Sequence, residues 1–292
     1  MSLSADRVVE TFDTAKEENG LDRYRTGQVV HLPPGHEVWL TGDIHDHRTN
    51  FNRILAAARL DQNPTRHLIL HELIHGDHFD DAGAEDSWKM LYVAAELKCD
   101  YPDQVHFLFA NHDLAQIHGE GIIKSGLSVC EAFNKGVARD FPGHDMNVQL
   151  AITEFLLSLP LAIKLPNGIW MSHSIPTDEQ VNTFDYSVFE RTPLTADDYK
   201  KKISPVYQLI WGRKYSESGV KTFADKVGAR LLITGHQPQE MGHSTVGEQM
   251  LIIDSSHNHG VYLPINTTNT YTLEDLRQNL RPLIALGADE DA

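Results

Sequence analysis

The chain has 292 residues, 41% of them hydrophobic and 23% charged, the balance of a globular protein long enough to bury a substantial core. Its 25 basic and 41 acidic residues leave a formal charge of −16, which argues against nucleic acid and anionic membrane surfaces as partners and requires local positive charge for any anionic substrate. Two cysteines, Cys99 and Cys130, are too few for a disulfide framework; with no signal-like start and no apolar run near the ~20 residues of a membrane span, the expected location is cytoplasmic.

Residues 4–18 read as a polar helix, followed by the short strand GQVVHL and the turn PPGH. EVWLTGD is a buried strand ending near Gly42, and TNFNRILAAARL sets Phe51, Ile54, Leu55 and Ala58 at helical spacing. RHLILHELIHGD repeats this plan as an apolar strand expected to run to Gly76-Asp77, and EDSWKMLYVAAELKCDYP is a helix stopped by Pro102. VHFLFANHD is a third strand. From Leu114 to Leu159 the pattern turns helical, with IIKSGLSVCEAFNKGVARDF and MNVQLAITEFLLSL as the two expected helices. Three β-like runs follow: LAIKLPNGIWMSHS, a hairpin about Asn167-Gly168, then ARLLITGH and EQMLIIDSSHNHGVYLPI. TLEDLRQNLRPLIALGADEDA closes the chain as a short helix and a disordered acidic tail. No repeat or linker interrupts the pattern. The expected division is a helical extension over 1–20, one domain over 21–270, and a helix and tail over 271–292.

The chemistry gathers where strands end. Five apolar strands close on GDIH (42–45), GDHFD (76–80), ANHD (110–113), SH (172–173) and GH (235–236). One Gly-Asp after a strand is commonly a turn or a helix cap. Five ends rich in Asp, Asn and His point instead to a shared site at the C-terminal edge of an α/β sheet. Carboxylate oxygen, amide oxygen and imidazole nitrogen are donors for hard or borderline divalent metals, and two neighbouring cations need a carboxylate that can bridge them. No cysteine lies in any of these five clusters, which argues against a structural zinc site and for manganese, iron or zinc in a catalytic pair. Asp43 and His45, two apart in an irregular turn, can converge on one cation, and Asp77 has the shape of a bridge.

In order, these motifs resemble the GDxH, GDxxD, GNH[ED], H and GH signature of the calcineurin-like metallophosphoesterases, and within them the serine/threonine phosphoprotein phosphatases. ITEFLLSLPLAIKLPNGIWMSHS, ARLLITGHQPQEMGH and LIIDSSHNHG extend the resemblance, which covers roughly residues 36–264. It implies an α/β fold, a two-sheet β-sandwich flanked by helices. Asp43 and His45 would hold a first metal, Asp77 would bridge, and Asn111, His173 and His236 would complete a second site. His112 would donate a proton to the leaving oxygen, oriented by Asp80 as a carboxylate orients a catalytic imidazole. The implied reaction is hydrolysis of phosphate monoesters by in-line attack of a metal-bound hydroxide, without a phosphoenzyme. The implied cofactors are two divalent or trivalent metal ions, manganese first, with iron or zinc as alternatives. The implied partner is a phosphorylated substrate, a phosphoprotein or a small phosphoester.

The chain departs from that branch at several positions. Asp46 stands for the last glycine of GDIHG, and Asp81 stands for the arginine of GDxxDRG. Losing that guanidinium removes a bidentate, always-charged phosphate clamp. Arg48 and Arg213 are the candidate replacements, joined as substrate-binding residues by His259, which occupies a usual tyrosine position. Ala110 replaces a glycine, and HSIP replaces HGGL. His71, His75, His78, His243 and His257 carry no role from the resemblance. Two further readings stay open. One is a nucleotide polyphosphate or diester hydrolase like the bis(nucleosyl) tetraphosphatases, with Tyr186, Trp211 and Tyr215 as an aromatic platform. The other is a non-catalytic binding protein that keeps the phosphatase fold.

Overall fold

The computed structural model describes residues 3–119, 122–124 and 126–287; the acidic tail expected at the end falls on residues 288–292, outside those described. Helix α1 (Ala5–Leu21) opens on Ser4, whose side chain accepts the Arg7 amide, and it buries Val8, Phe12 and Ala15 at helical spacing. Two short strands, β1 (Arg25–Thr26) and β2 (Val29–His31), lead into β3 (Glu37–Asp43). Helix α2 (Arg48–Ala58), β4 (Arg66–His71), α3 (Ser87–Asp100) and β5 (Val105–Leu108) then make two successive crossovers that set β3, β4 and β5 parallel. Helix α4 (Asn111–His118) starts three residues after β5, followed by a small hairpin of β6 (Ile123–Lys124) and β7 (Leu127–Ser128).

The second half begins with α5 (Val129–Asp140) and α6 (Asp145–Leu157), then the hairpin β8 (Ala162–Lys164) and β9 (Ile169–Ser172). Helices α7 (Pro205–Trp211) and α8 (Glu217–Val227) precede β10 (Leu231–Thr234), β11 (His243–Val246), β12 (Met250–Ile253) and β13 (Val261–Asn266). Helix α9 (Leu273–Asn279) and β14 (Arg281–Pro282) follow. The strands form two main sheets, ordered β1-β2-β8-β9-β10-β12-β11 and β14-β13-β3-β4-β5. Their facing sides share one apolar layer: Val38, Leu40, Ile69, Leu263 and Ile265 from one sheet, Ile163, Met171, Ile233, Leu251 and Ile253 from the other. Alternate residues such as Leu68, Leu70 and Phe107 point outward into a second core with the helices. This is the expected α/β two-sheet sandwich. Among the described residues no helix is long and apolar enough to cross a membrane.

Three expected elements differ. β4 stops at His71 instead of reaching Asp77, because Glu72 (φ 42°) and His75 (φ 65°) take left-handed backbone that leaves the ladder. Leu73 and Ile74 are apolar because they are buried, though in irregular chain. The helix expected from Ile122 begins only at Val129, behind the β6–β7 hairpin; Ser128 caps it by accepting the Glu131 amide. The run EQMLIIDSSHNHGVYLPI is two strands in different sheets, so residues 254–260 cross between them, and Asp254 bridges to Asp43 on the way.

At the opposite ends of the strands from the sequence motifs lies a buried histidine row. His36 Nδ1 and His67 Nε2 are 2.7 Å apart, His67 Nδ1 and His106 Nε2 are 2.9 Å apart, and His106 Nδ1 meets Asp22 Oδ2 at 3.0 Å. Lys98 Nζ stands 3.6 Å from the same carboxylate oxygen. Burial pushes His67 down to about 3 from an ordinary 6.5 and lowers His106 as well. Burial acts on Asp22 the other way, but His106 and Lys98 still hold it at about 2. The neutral rings therefore donate in one direction, towards Asp22. A histidine lowered on folding stabilises fully above its unfolded value and loses that contribution as pH falls from about 6.5 towards the folded value. Thermal unfolding followed from pH 7 to 4 should thus show stability falling by up to about 1.4 kcal/mol per pH unit for each such ring. His67→Gln should flatten that slope by one ring's share.

Candidate metal centre

Left-handed backbone concentrates at one edge of the sandwich. Of the seven described non-glycine residues with positive φ, five are His45, Asp46, Glu72, His75 and His236, so strain of about 1 kcal/mol or more per residue is gathered around a single cluster. Asp43 ends β3, Glu72 follows β4, Asn111 opens α4, and His173 and His236 come just after β9 and β10. Two glycines permit the close approach. A Cβ on Gly42 would collide with the Ile253 carbonyl, and one on Gly235 with Asp43 Oδ1.

Two donor sets share a carboxylate. Asn111 Oδ1 is 2.6 Å from His173 Nε2 and 2.8 Å from His236 Nδ1, and the two ring nitrogens are 3.0 Å apart. Glu72 Oε1 lies 3.6 Å from His173 Nε2 and accepts the His112 amide at 3.0 Å. The other oxygen, Oε2, is 3.2 Å from His45 Nε2. Atoms of His45, Glu72 and His112 converge within 4.8 Å of one another, as do those of Asp43, His71 and His173. All of these residues except His45 are buried.

Asp77 and Asp80 are not brought to this cluster. Asp77 is 81% exposed, 3.5 Å from Lys124 Nζ. Asp80 accepts the Ala82 and Ala84 amides and pairs with Arg139 at 2.8 Å. The physical reason is the early end of β4, which puts Glu72 at the sheet edge and strands the later Gly-Asp in an exposed loop. His112 Nδ1 instead faces His75 Nδ1 at 3.0 Å, and His75 Nε2 meets Gln116 Oε1 at 2.9 Å. Gln116 Nε2 in turn donates to Asn134 Oδ1 at 2.8 Å. With its amide so placed, Gln116 takes the His75 Nε2 proton. His75 then offers Nδ1 as the acceptor for His112 Nδ1–H.

Burial dominates the electrostatics. It pushes His71 to about 4, and His75 and His236 to about 3, and it lowers His112 and His173 well below 6.5, so these rings are neutral with lone pairs available. Burial, with Glu72 and Asp254 nearby, raises Asp43 well above the usual carboxylate range. Glu72 goes the other way: burial would raise it, but His173, His112 and His45 together hold it well below that range. Two observations show that a cation fits. Asp43 Oδ1 is buried and finds no hydrogen-bond partner among the described residues. His45 Nδ1 lies 3.0 Å from the Ile74 carbonyl, and its Nε2 stands 3.2 Å from Glu72 Oε2. A ring nitrogen and a carboxylate oxygen so placed are donors of the kind a divalent ion takes.

The remaining expected residues divide. Arg213 donates Nε–H to His236 Nε2 at 2.9 Å. Arg48, half exposed, holds the buried Asp46 through Nε and Nη2 at 3.3 and 3.1 Å. His259 is exposed and its ring neighbours His257, not the cluster. Trp211 comes within 6.1 Å of the His236 ring, centre to centre, and Tyr215 bonds Ser174, whereas Tyr186 is packed on Phe184 and Phe223. Sequence reasoning missed Glu72, although an acid inside LILHELI was a signal: burying a lone carboxylate in an apolar run is costly unless something pairs with it. It also assigned nothing to His71. That ring meets His173 Nδ1 through its Nε2 at 2.8 Å and so orients one ligand-type side chain, while its Nδ1 stands 3.5 Å from Asp43 Oδ1 without bonding it.

Residues 36–240 match the family model of the calcineurin-like phosphoesterases. The fold is similar to that of a protein serine/threonine phosphatase from Saccharomyces cerevisiae with similarity to human phosphatase PP5, at 12% identity and a TM-score of 0.70, over 95% of this chain and 88% of that one. It is also similar to a cold-active protein-tyrosine phosphatase from a psychrophilic Shewanella species, at 14% identity and a TM-score of 0.61, over 91% and 84% of the two chains. No curated protein sequence matches the chain. With its strand-end donors converging and the family match covering most of its length, the chain belongs to the calcineurin-like phosphoesterases and is a metal-dependent phosphoester hydrolase.

Proposed function

We propose that the protein is a phosphatase of the serine/threonine type, acting on phosphate monoesters at a centre for two metal ions. Asp43, His45 and Glu72 would hold one ion, and Glu72, Asn111, His173 and His236 the other. Manganese is the first choice, and iron or zinc suits the same donors. The observation that carries this reading is Glu72, whose two oxygens face the two donor sets separately. When bound, the ions supply positive charge for the phosphoryl transition state and make water acidic enough to attack at neutral pH.

The chain's own groups do the rest. For His112, held by its Nδ1–H on His75, to move the proton that the leaving oxygen needs, Nε2 must carry that proton: the anionic phosphate and Glu72 favour this cationic form against the burial that keeps the ring neutral without substrate. Arg213 and Arg48 bind phosphate oxygens. Ligation through His236 Nδ1 would place that ring's proton on Nε2, so Arg213 would turn to another acceptor, and a phosphate oxygen is one. Arg48 is already steered by Asp46, which leaves its remaining N–H groups for the substrate. His259 would join them only from the outer rim.

A second reading, a nucleotide polyphosphate or diester hydrolase, draws support from Trp211 beside His236, an aromatic face on which a base could stack. Manganese-loaded protein should turn over an aryl phosphate and bind two metals per chain. Two bound metals without turnover of aryl monoesters or diesters would sink both readings. Faster turnover of a dinucleoside polyphosphate than of a phosphoserine peptide would replace the first by the second.

A further inference from the structure

We infer that Lys124, on the β6–β7 hairpin, supplies a cation that grips the substrate's phosphate, a role resting on the cluster around Glu72 being the reacting centre. Lys124 Nζ donates to the His75 carbonyl at 2.8 Å and lies 3.5 Å from Asp77 Oδ1, and its side chain is only 24% exposed. The His75 ring is itself 3.0 Å from His112, so the ammonium is bound to the backbone of the residue that faces the proposed proton donor. Its charge reaches both rings and adds to the burial that lowers them. An ammonium has three N–H donors; the carbonyl uses one and Asp77 draws a second, which leaves one for a ligand.

The local register explains why a lysine should arrive from this hairpin. The end of β4 puts Glu72-Leu73-Ile74-His75-Gly76 where the resemblance has Asp-x-x-Asp-Arg, so the phosphate-gripping arginine falls on Gly76. A side chain there has no room: a Cβ on Gly76 would lie 2.7 Å from Asp46 Cβ. Lys124 binds the carbonyl of the peptide joining His75 to Gly76, the point from which that arginine would have left the backbone. The positive charge is restored at the same place by a different element. A lysine is a point charge without the planar fork of arginine, so it imposes less orientation on the phosphate.

Inorganic phosphate, as a competitive inhibitor of aryl phosphate hydrolysis by the manganese-loaded full chain, tests this directly. Lys124→Met should raise the phosphate inhibition constant and KM by about tenfold, with kcat within about threefold, as expected for one charge-assisted hydrogen bond lost. Metal content should stay at the parent value, and Lys124→Arg should restore phosphate affinity. Asp77→Asn, which removes a competing anion from an exposed position, should tighten phosphate binding by about threefold. An inhibition constant unchanged in Lys124→Met overturns the assignment. Should that variant fail to fold, an unchanged constant in Asp77→Asn overturns it. A parent protein inactive on aryl phosphates would instead overturn the reading of the centre itself.

Discussion

Glu72→Gln should lower turnover by on the order of a thousandfold and reduce the metal bound per chain, whereas Asp77→Ala should keep parental metal content and turnover within about threefold. The substitution at Glu72 is nearly isosteric, so packing survives. What is lost is the negative charge between two donor sets, and an amide has only one oxygen to share between them. On the proposed two-metal reading, several kcal/mol of charge stabilisation rest on the pair of cations, which gives the magnitude. Asp77 is 81% exposed and pairs with Lys124, so its loss removes a surface ion pair of little value. Metal content by elemental analysis, together with kcat, separates the two positions. Equal losses in both variants would show that the sequence register, not the structural one, identifies the bridge.

His112→Ala should lose about 10²- to 10⁴-fold in kcat while keeping its metals, the range of a general acid removed from a site otherwise intact. The loss should be larger for an alkyl phosphate than for an aryl phosphate with an acidic phenol, because the better leaving group needs less protonation. Asp80→Ala should behave like the parent, since Asp80 pairs with Arg139 on the surface and His112 is held by His75. A His112→Ala enzyme with parental kcat on both substrates would remove His112 from the mechanism. A large loss in Asp80→Ala would show that this carboxylate moves in to orient the ring.

Much of the centre was legible because Asp43, His45, Asn111, His173 and His236 each sit within a few residues of a strand end, and a parallel α/β unit delivers such ends to one edge. The same logic failed at β4. RHLILHELI continues its apolar character past the true strand end, and periodicity cannot distinguish a buried strand residue such as Leu70 from a buried loop residue such as Ile74. The break is made by left-handed backbone at Glu72 and His75, a conformation that local propensity assigns to glycine, asparagine or aspartate. Carrying the strand six residues past His71 put the expected bridge at Asp77, whereas Glu72 is the carboxylate between the two donor sets, and put the expected partner of His112 at Asp80, whereas His75 faces that ring. The β6–β7 hairpin was hidden in a helix-like pattern, although Ser128 with Glu131 three residues on was a readable start for α5. Lys124 was overlooked with it.

By itself the sequence determined the α/β class and the nitrogen and oxygen character of the donors, because these follow from apolar runs and from what terminates them; the two-sheet arrangement and the ligand roles came with the resemblance. Only the tertiary structure decided which carboxylate lies between the two donor sets, which ring faces which, and which cations stand near the cluster. Those relations join residues 40 to 102 positions apart: His173 with His71, His112 with Glu72, Lys124 with His75. Contacts at such separations depend on strand register and backbone handedness, which no local pattern of residues encodes.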